Sequence, residues 1–250
     1  MPDRKPRHGI ELACELVFRP LAHVVARMLA PLRVPPPAVV CAATGVGLAA
    51  AGEIARGSLV AGAVLLQAKT VLDNADGQLA RLTGRVTMFG RYLDSESDLL
   101  VDAAVFAALG LRIGPWLALA GFLALTFVLS VNFNVERLFT QSRAAEAAPS
   151  PPATGRPTRA LARVYDVAYK PQDRLVEWVA RRRPDAWHEP LAVHVLANFG
   201  LSTQLAVLGV CLATGSPELY VLVLIGCVAA VAVLALRRER LVRRAVPALD

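Results

Sequence analysis

Four aspartates, Asp73, Asp76, Asp94 and Asp98, stand at the junction of two long apolar stretches, and their spacing is helical. Asp73 and Asp76 fall at i, i+3, on one face of a helix. Gly77 and Ala80 lie on that face one turn onward and remove bulk from it. Gly90, Asp94 and Asp98 fall at i, i+4, i+8, again on one face. Packed side by side, two such helices aim four carboxylates at one small volume. Carboxylates that are crowded and stripped of water repel one another, so protons or cations have to compensate. An all-oxygen ligand set favours Mg²⁺ or Mn²⁺ over softer metals. Four carboxylates are enough to bridge two such ions about 4 Å apart, an arrangement suited to phosphoryl and nucleotidyl chemistry.

The surrounding sequence fixes the medium. Hydrophobic residues make up 55 % of the 250, above the ~45–50 % usual for soluble domains. Apolar runs near the ~20 residues of a membrane span recur along the chain. The expected fold is therefore all-α and polytopic, with six spans at about 37–53, 58–80, 92–111, 115–138, 190–213 and 218–236. Pro35-Pro36-Pro37, Gly114-Pro115 and Ser216-Pro217 supply turns between elements. Residues 1–36 are expected to form a cytoplasmic tail and an interfacial helix, 37–236 a single membrane domain, and 237–250 a basic tail. Residues 1–9 are basic and no continuous apolar core follows, unlike a signal peptide. In 10–30, Glu11, Glu15, Arg19, His23 and Arg27 recur every four residues among Leu and Val, which predicts an amphipathic helix on the membrane face despite Pro20. The polar segment 139–189 reads as a loop with short interfacial helices. Cys14, Cys41, Cys211 and Cys227 form no CxxC pair and sit in apolar surroundings, so they read as small packing residues.

The formal net charge of +7 could suit nucleic acid, but the basic residues cluster between apolar runs. Of 27 Lys and Arg, 24 fall in the segments on the side of the termini, whereas Arg56 and Arg112 fall opposite and Lys69 lies inside a span. The positive-inside rule then places both termini and the four aspartates in the cytoplasm, and the protein in the cell's inner membrane.

The stretch Asp73-x2-Asp76-Gly77-x2-Ala80-Arg81-x8-Gly90-x3-Asp94-x3-Asp98 resembles the signature of the CDP-alcohol phosphatidyltransferase family at all its fixed positions. The resemblance implies a six-helix membrane enzyme that transfers a phosphatidyl group from a CDP-linked lipid donor to an alcohol, works as a homodimer and uses two divalent ions, Mg²⁺ or Mn²⁺. Carried over by position, Asp73, Asp76, Asp94 and Asp98 are metal ligands, and Asp98 is also the catalytic base. Asp73, Gly77, Ala80, Arg81 and Gly90 surround the CDP donor, with Arg81 on diphosphate oxygens. One departure stands at the start of the first span. Many members have Thr-Pro-Asn-x-x-Thr there, and this chain has Pro37 and Val40 at the Asn and final Thr positions.

The acceptor is read from fewer signs. Arg137 and Arg143 follow the fourth span on the cytoplasmic side. They serve either the positive-inside rule or the binding of an acceptor phosphate, as in inositol phosphate or glycerol 3-phosphate. CDP-diacylglycerol is the favoured donor. A soluble CDP-alcohol donor with a lipid acceptor is the alternative within the family, and an ion or metal transporter is the alternative outside it. Within the spans, Lys69 and Asp102 each lie one turn deeper than the acids, which points to an interhelical ion pair beneath the site; the alternatives are that Lys69 snorkels to the interface or pairs with Asp73 on its own helix at i, i+4. His194 and Asn198, at i, i+4, read as interhelical hydrogen-bonding residues.

Overall fold

The computed structural model describes residues 9–143 and 190–245, with positions 158, 160, 161, 163, 170 and 174 between them; at 140–143, 190, 238, 239 and 241–245 only the backbone is described. The expected interfacial helices within 139–189 and the outer part of the basic tail therefore lie outside the described residues. Among the described residues there are eight α-helices and no strand. They are α1 (Arg19–Leu29), α2 (Pro36–Arg56), α3 (Leu59–Leu82), α4 (Met88–Ile113), α5 (Pro115–Arg143), α6 (Pro190–Ala197), α7 (Leu201–Ala213) and α8 (Glu218–Ala245).

A π-helical turn, Cys14–Phe18, leads into α1. Pro20 explains it. A proline inside a helix has no N–H to donate and its ring crowds the carbonyl four residues back, and a wider turn just before it relieves both problems. The helix expected over 10–30 thus forms, with an irregular start. Its faces are set differently from the expectation. Most of the polar stripe turns inward, with only Arg27 exposed: Glu11 is buried, and His23 Nδ1 lies 3.3 Å from Gln78 Oε1 on α3. Ala22 and Ala26 pack against the bundle, while Leu12, Leu16, Val17, Leu21, Val24 and Met28 are exposed. Large apolar side chains outside and small or polar ones inside suit a helix set against lipid.

The long helices share one core, with Ile54, Leu66, Val105, Leu109, Leu125, Leu208, Tyr220 and Leu224 all buried in it. Packing runs α3 to α2, α2 to α4, α4 to α5, α5 to α8, α8 to α7 and α7 back to α3, so the contacts close in a cycle. Helices α3 and α4 both lean on α2 and scarcely meet each other along their backbones. Gly47 of α2 makes this possible. A Cβ there would sit 2.6 Å from Val101 Cγ1 of α4 and 3.3 Å from Lys69 Cγ of α3. At the far end of α2, Gly57 takes a left-handed φ of 92°, and Arg112 of α4 donates to the carbonyls of Ile54 and Ala55 at 3.3 and 2.9 Å. The last carbonyls of a helix lack internal partners, and a guanidinium fork suits them.

This is a membrane-integral architecture. α2, α5 and α8 are each long and apolar enough to cross a membrane, and α6 with α7, bent by 46°, is so only as a pair, with the geometry of a broken span or a re-entrant loop. The fifth expected span is thus broken around residues 198–200. α3 and α4 have 24 and 26 residues, or about 36 Å and 39 Å of helix, longer than the ~30 Å hydrocarbon core. Their ionisable residues keep them from reading as plain apolar spans. Outward on α5 and α8 stand Trp116, Leu119, Leu123, Leu222, Ile225 and Val233, the reverse of a water-soluble surface.

Candidate active site

The last three turns of α3 and the first three of α4 carry the acids. α4 starts earlier than the sequence suggests, at Met88, because Thr87 caps it: the Thr87 Oγ1 accepts from Gly90 N at 3.1 Å. Gly90 therefore sits in the first turn, with open space beside it apart from that hydroxyl. From there Asp94 and Asp98 descend along one face of α4, opposite the face of α3 that carries Asp73 and Asp76.

Asp73, Asp76 and Asp94 each present a carboxylate oxygen within 4.8 Å of the others. Asp76 is buried, and its Oδ2 has no hydrogen-bond partner among the described residues. A buried carboxylate oxygen without a partner costs free energy that a native fold recovers elsewhere. Three converging carboxylates with an orphaned oxygen fit a hard divalent cation bound through oxygen. The residues present therefore suit the metal that the resemblance implies.

Asp98 stands differently. Its Oδ1 accepts from Lys69 Nζ, which also donates to Asp73 Oδ1 at 3.1 Å. Lys69 is 1 % exposed. The ion pair expected between Lys69 and Asp102 is thus not the one formed; the alternative pairing with Asp73 on the same helix is present, and the ammonium also reaches Asp98. The physical reason is charge density. Four acids lie on the upper side of Lys69 and one on the lower, and Coulomb attraction draws the ammonium upward. Asp102 stays buried one turn below Asp98.

Arg81 ends α3, half-buried beside Gly77; a Cβ on Gly77 would lie 3.4 Å from its Nη1. Ala80 leaves the same face low. Arg137 lies on α5, where its Nη2 donates to Asn134 Oδ1 at 2.9 Å, and the Arg143 side chain lies outside the described residues.

Two residues that the spacing argument passed over hold the motif helix in place. Asn74 accepts from Cys14 Sγ at 3.2 Å and donates to Thr70 O and to Ser202 Oγ of α7 at 2.8 and 3.3 Å. Gln78 donates to Arg19 O at 3.1 Å. Thr70, Asn74 and Gln78 recur every four residues along the helix that also carries Asp73 and Asp76, and that stripe was a readable signal of a polar seam. Asn198 makes its cross-element bonds to the N-terminal segment. It accepts from Leu12 N and donates to Ile10 O, at 3.0 and 2.9 Å, tying the N-terminal segment to the break between α6 and α7.

Known proteins can be set beside this geometry. The chain is similar to archaetidylinositol phosphate synthase of Methanothermobacter thermautotrophicus, 39 % identical over 121 residues, which covers 46 % of this chain and 60 % of that protein. It is similar to a bifunctional IPC transferase and DIPP synthase of Aquifex aeolicus, 38 % identical over 82 residues, covering 30 % of this chain and 18 % of that one. Archaetidylinositol phosphate synthase of Pyrococcus horikoshii is 33 % identical over 95 residues, covering 38 % and 50 %. The chain thus spans at most three-fifths of the length of these relatives. The model of one family matches residues 23–162, more than half of the chain and all of the carboxylate-bearing stretch. With the signature complete and its acids converging on one site, the chain belongs to the CDP-alcohol phosphatidyltransferase family.

Proposed function

We propose that this protein is a membrane transferase of phospholipid biosynthesis that moves a phosphatidyl, or similarly substituted phosphoryl, group from CDP-diacylglycerol to a polar alcohol and releases CMP. The observation that carries the reading is the nest of Asp73, Asp76 and Asp94 with its orphaned buried oxygen, beside Arg81. The first-choice acceptor is a phosphorylated polyol, inositol phosphate before glycerol 3-phosphate. The names of the archaeal relatives, archaetidylinositol phosphate synthases, support that order. Arg137 and Arg143 are the candidates for the acceptor phosphate.

Asp73, Asp76 and Asp94 would hold Mg²⁺ or Mn²⁺, which would neutralise the diphosphate and polarise its phosphorus. Arg81 grips diphosphate oxygens through its fork of donors. Gly77, Ala80 and Gly90 keep bulk away from the cytidine. Asp98 accepts the proton of the acceptor hydroxyl as that oxygen attacks the lipid-bearing phosphorus. The new P–O bond forms as the bond to the bridging oxygen breaks, and CMP departs with that oxygen. Asp98 is a weak base, so its alignment with the hydroxyl carries the effect. In this reading α3 and α4 complete six spans, both termini and the site face the cytoplasm, and two copies of the chain associate.

A CMP-release assay tests the proposal, with purified protein, CDP-diacylglycerol, Mg²⁺ or Mn²⁺ and a panel of alcohols that includes both phosphorylated polyols. Release with one polyol phosphate, abolished by EDTA and restored by the metal, is expected. No release with any alcohol in the presence of metal would overturn it.

A further inference from the structure

We propose that this site holds one divalent cation, in the nest of Asp73, Asp76 and Asp94, and that the Lys69 ammonium occupies the place of a second, with Asp98 as its counter-ion. The inference rests on the reading of these acids as the metal-dependent centre of the transferase, and departs from the two ions implied by the family resemblance.

Three observations carry it. First, the convergence is threefold and not fourfold: Asp73, Asp76 and Asp94 bring oxygens within 4.8 Å of one another, and Asp98 stands outside that nest. Second, one oxygen of each acid that a second ion would bridge is already engaged. Asp98 Oδ1 and Asp73 Oδ1 both accept from Lys69 Nζ. A dication bridging Asp73 and Asp98 would sit against that ammonium, and two positive charges in contact repel strongly where water is scarce. Third, Lys69 has no path to water. Its side chain is 2 % exposed, and its Cγ lies against α2, 3.3 Å from where a Cβ on Gly47 would be. A snorkelling lysine needs a path to water, and this one is enclosed by α2 and the acids themselves.

The arrangement has a consequence for the reaction. A lysine is a resident charge that does not depend on the supply of metal. It fixes Asp98 through Oδ1 and leaves Oδ2 to meet the acceptor hydroxyl. Lys69 is thus a positioning residue, acting through Asp98 on the acceptor and through Asp73 on the metal nest.

Manganese binding tests the proposal independently of turnover. Purified native protein in detergent is titrated with Mn²⁺, with the free ion followed by electron paramagnetic resonance and the bound ion by its spectrum. One Mn²⁺ per chain with an uncoupled spectrum is expected. Asp98→Asn should leave one Mn²⁺ bound at essentially unchanged affinity, whereas Asp94→Asn should weaken binding by more than about tenfold, at least the loss typical of a disturbed metal site. Lys69→Met should admit a second ion and produce an exchange-coupled spectrum. Should that variant fail to fold, the native protein and Asp98→Asn decide alone. Two tightly bound, coupled Mn²⁺ in the native protein, one of them lost in Asp98→Asn, would overturn the inference while leaving the transferase reading intact. That result would mean the ammonium gives way, with Asp102 below it as the carboxylate able to receive it. Absence of any Mn²⁺ binding, together with no CMP release, would overturn the transferase reading itself.

Discussion

At the residue scale, the site is built as much from missing side chains as from charged ones. Gly77 lies one residue beyond Asp76, and the Arg81 guanidinium lies back over it, with Nη1 3.4 Å from where a Cβ would be. Gly77→Leu would push that guanidinium off the helix and fill the room left for the nucleotide. The expected outcome is a donor KM raised at least tenfold, the worth of about 1.4 kcal/mol of binding, with the unfolding temperature nearly unchanged because Gly77 is only half-buried. An unchanged donor KM would show that this face does not meet the donor. Arg137 separates acceptor binding from topology. Arg137→Gln should raise the KM for a polyol phosphate and leave the donor KM alone; equal effects on both, or on neither, would return Arg137 to a structural role beside Asn134. The positions of the four acids were legible because helical spacing says which residues share a face. The partner of Lys69 was not, because spacing offered Asp102 and Asp73 and did not single out Asp98. The choice among them depends on how α3 and α4 are set against α2 and on the summed field of the acids above.

At the element scale, the motif helix is held by a seam that runs through the N-terminal segment. Glu11 is 4 % exposed, and its Oε1 accepts from Thr203 N at 2.9 Å and Thr203 Oγ1 at 3.1 Å. Thr203 is the third residue of α7, so Glu11 serves from a distant part of the chain as the cap of a helix that Gly200 cannot cap with a side chain. The negative carboxylate also sits at the positive end of the helix dipole. Glu11→Ala should cost about 1–2 kcal/mol, seen as a lower unfolding temperature in a fixed detergent, with metal affinity little affected. An unchanged unfolding temperature would show that water caps α7 equally well. None of this was legible from the sequence, where Glu11 read as one member of the polar stripe of an amphipathic helix on the membrane face. The stripe was correctly seen; which way it faces depends on what lies beside it, and here the neighbours are Gln78, Asn74 and the start of α7. The break in the fifth span was hidden for a similar reason. Asn198-Phe199-Gly200 interrupts an apolar run only briefly, and hydropathy alone does not register a bend.

At the scale of the whole molecule, two clusters define which ends of the helices lie together. Ala26 of α1, Val39 near the start of α2 and Leu79 near the end of α3 are buried against one another, so the N-terminal segment lies at the level of the aspartates. At the other end, Arg112 binds the carbonyls of Ile54 and Ala55, so the end of α4 lies beside the end of α2. These contacts agree with a chain that alternates direction, and they fix the relation of the ends without saying which end faces the cytoplasm. The distribution of Lys and Arg supplies that choice. Ser58, in the turn between α2 and α3, and Arg85, in the loop between α3 and α4, are both exposed and mark opposite ends. Three native thiols give little background, because Cys14, Cys211 and Cys227 are buried, and the exposed Cys41 near the start of α2 is first replaced by serine. With Ser58→Cys and Arg85→Cys made separately, a membrane-impermeant maleimide should label the first in intact cells and the second only after permeabilisation. That outcome would put the carboxylate nest on the side where nucleotide-linked donors are dissolved. The opposite pattern would set the nest facing outward, away from any cytoplasmic CDP donor, and would count against the proposed reaction even if the metal-binding results held.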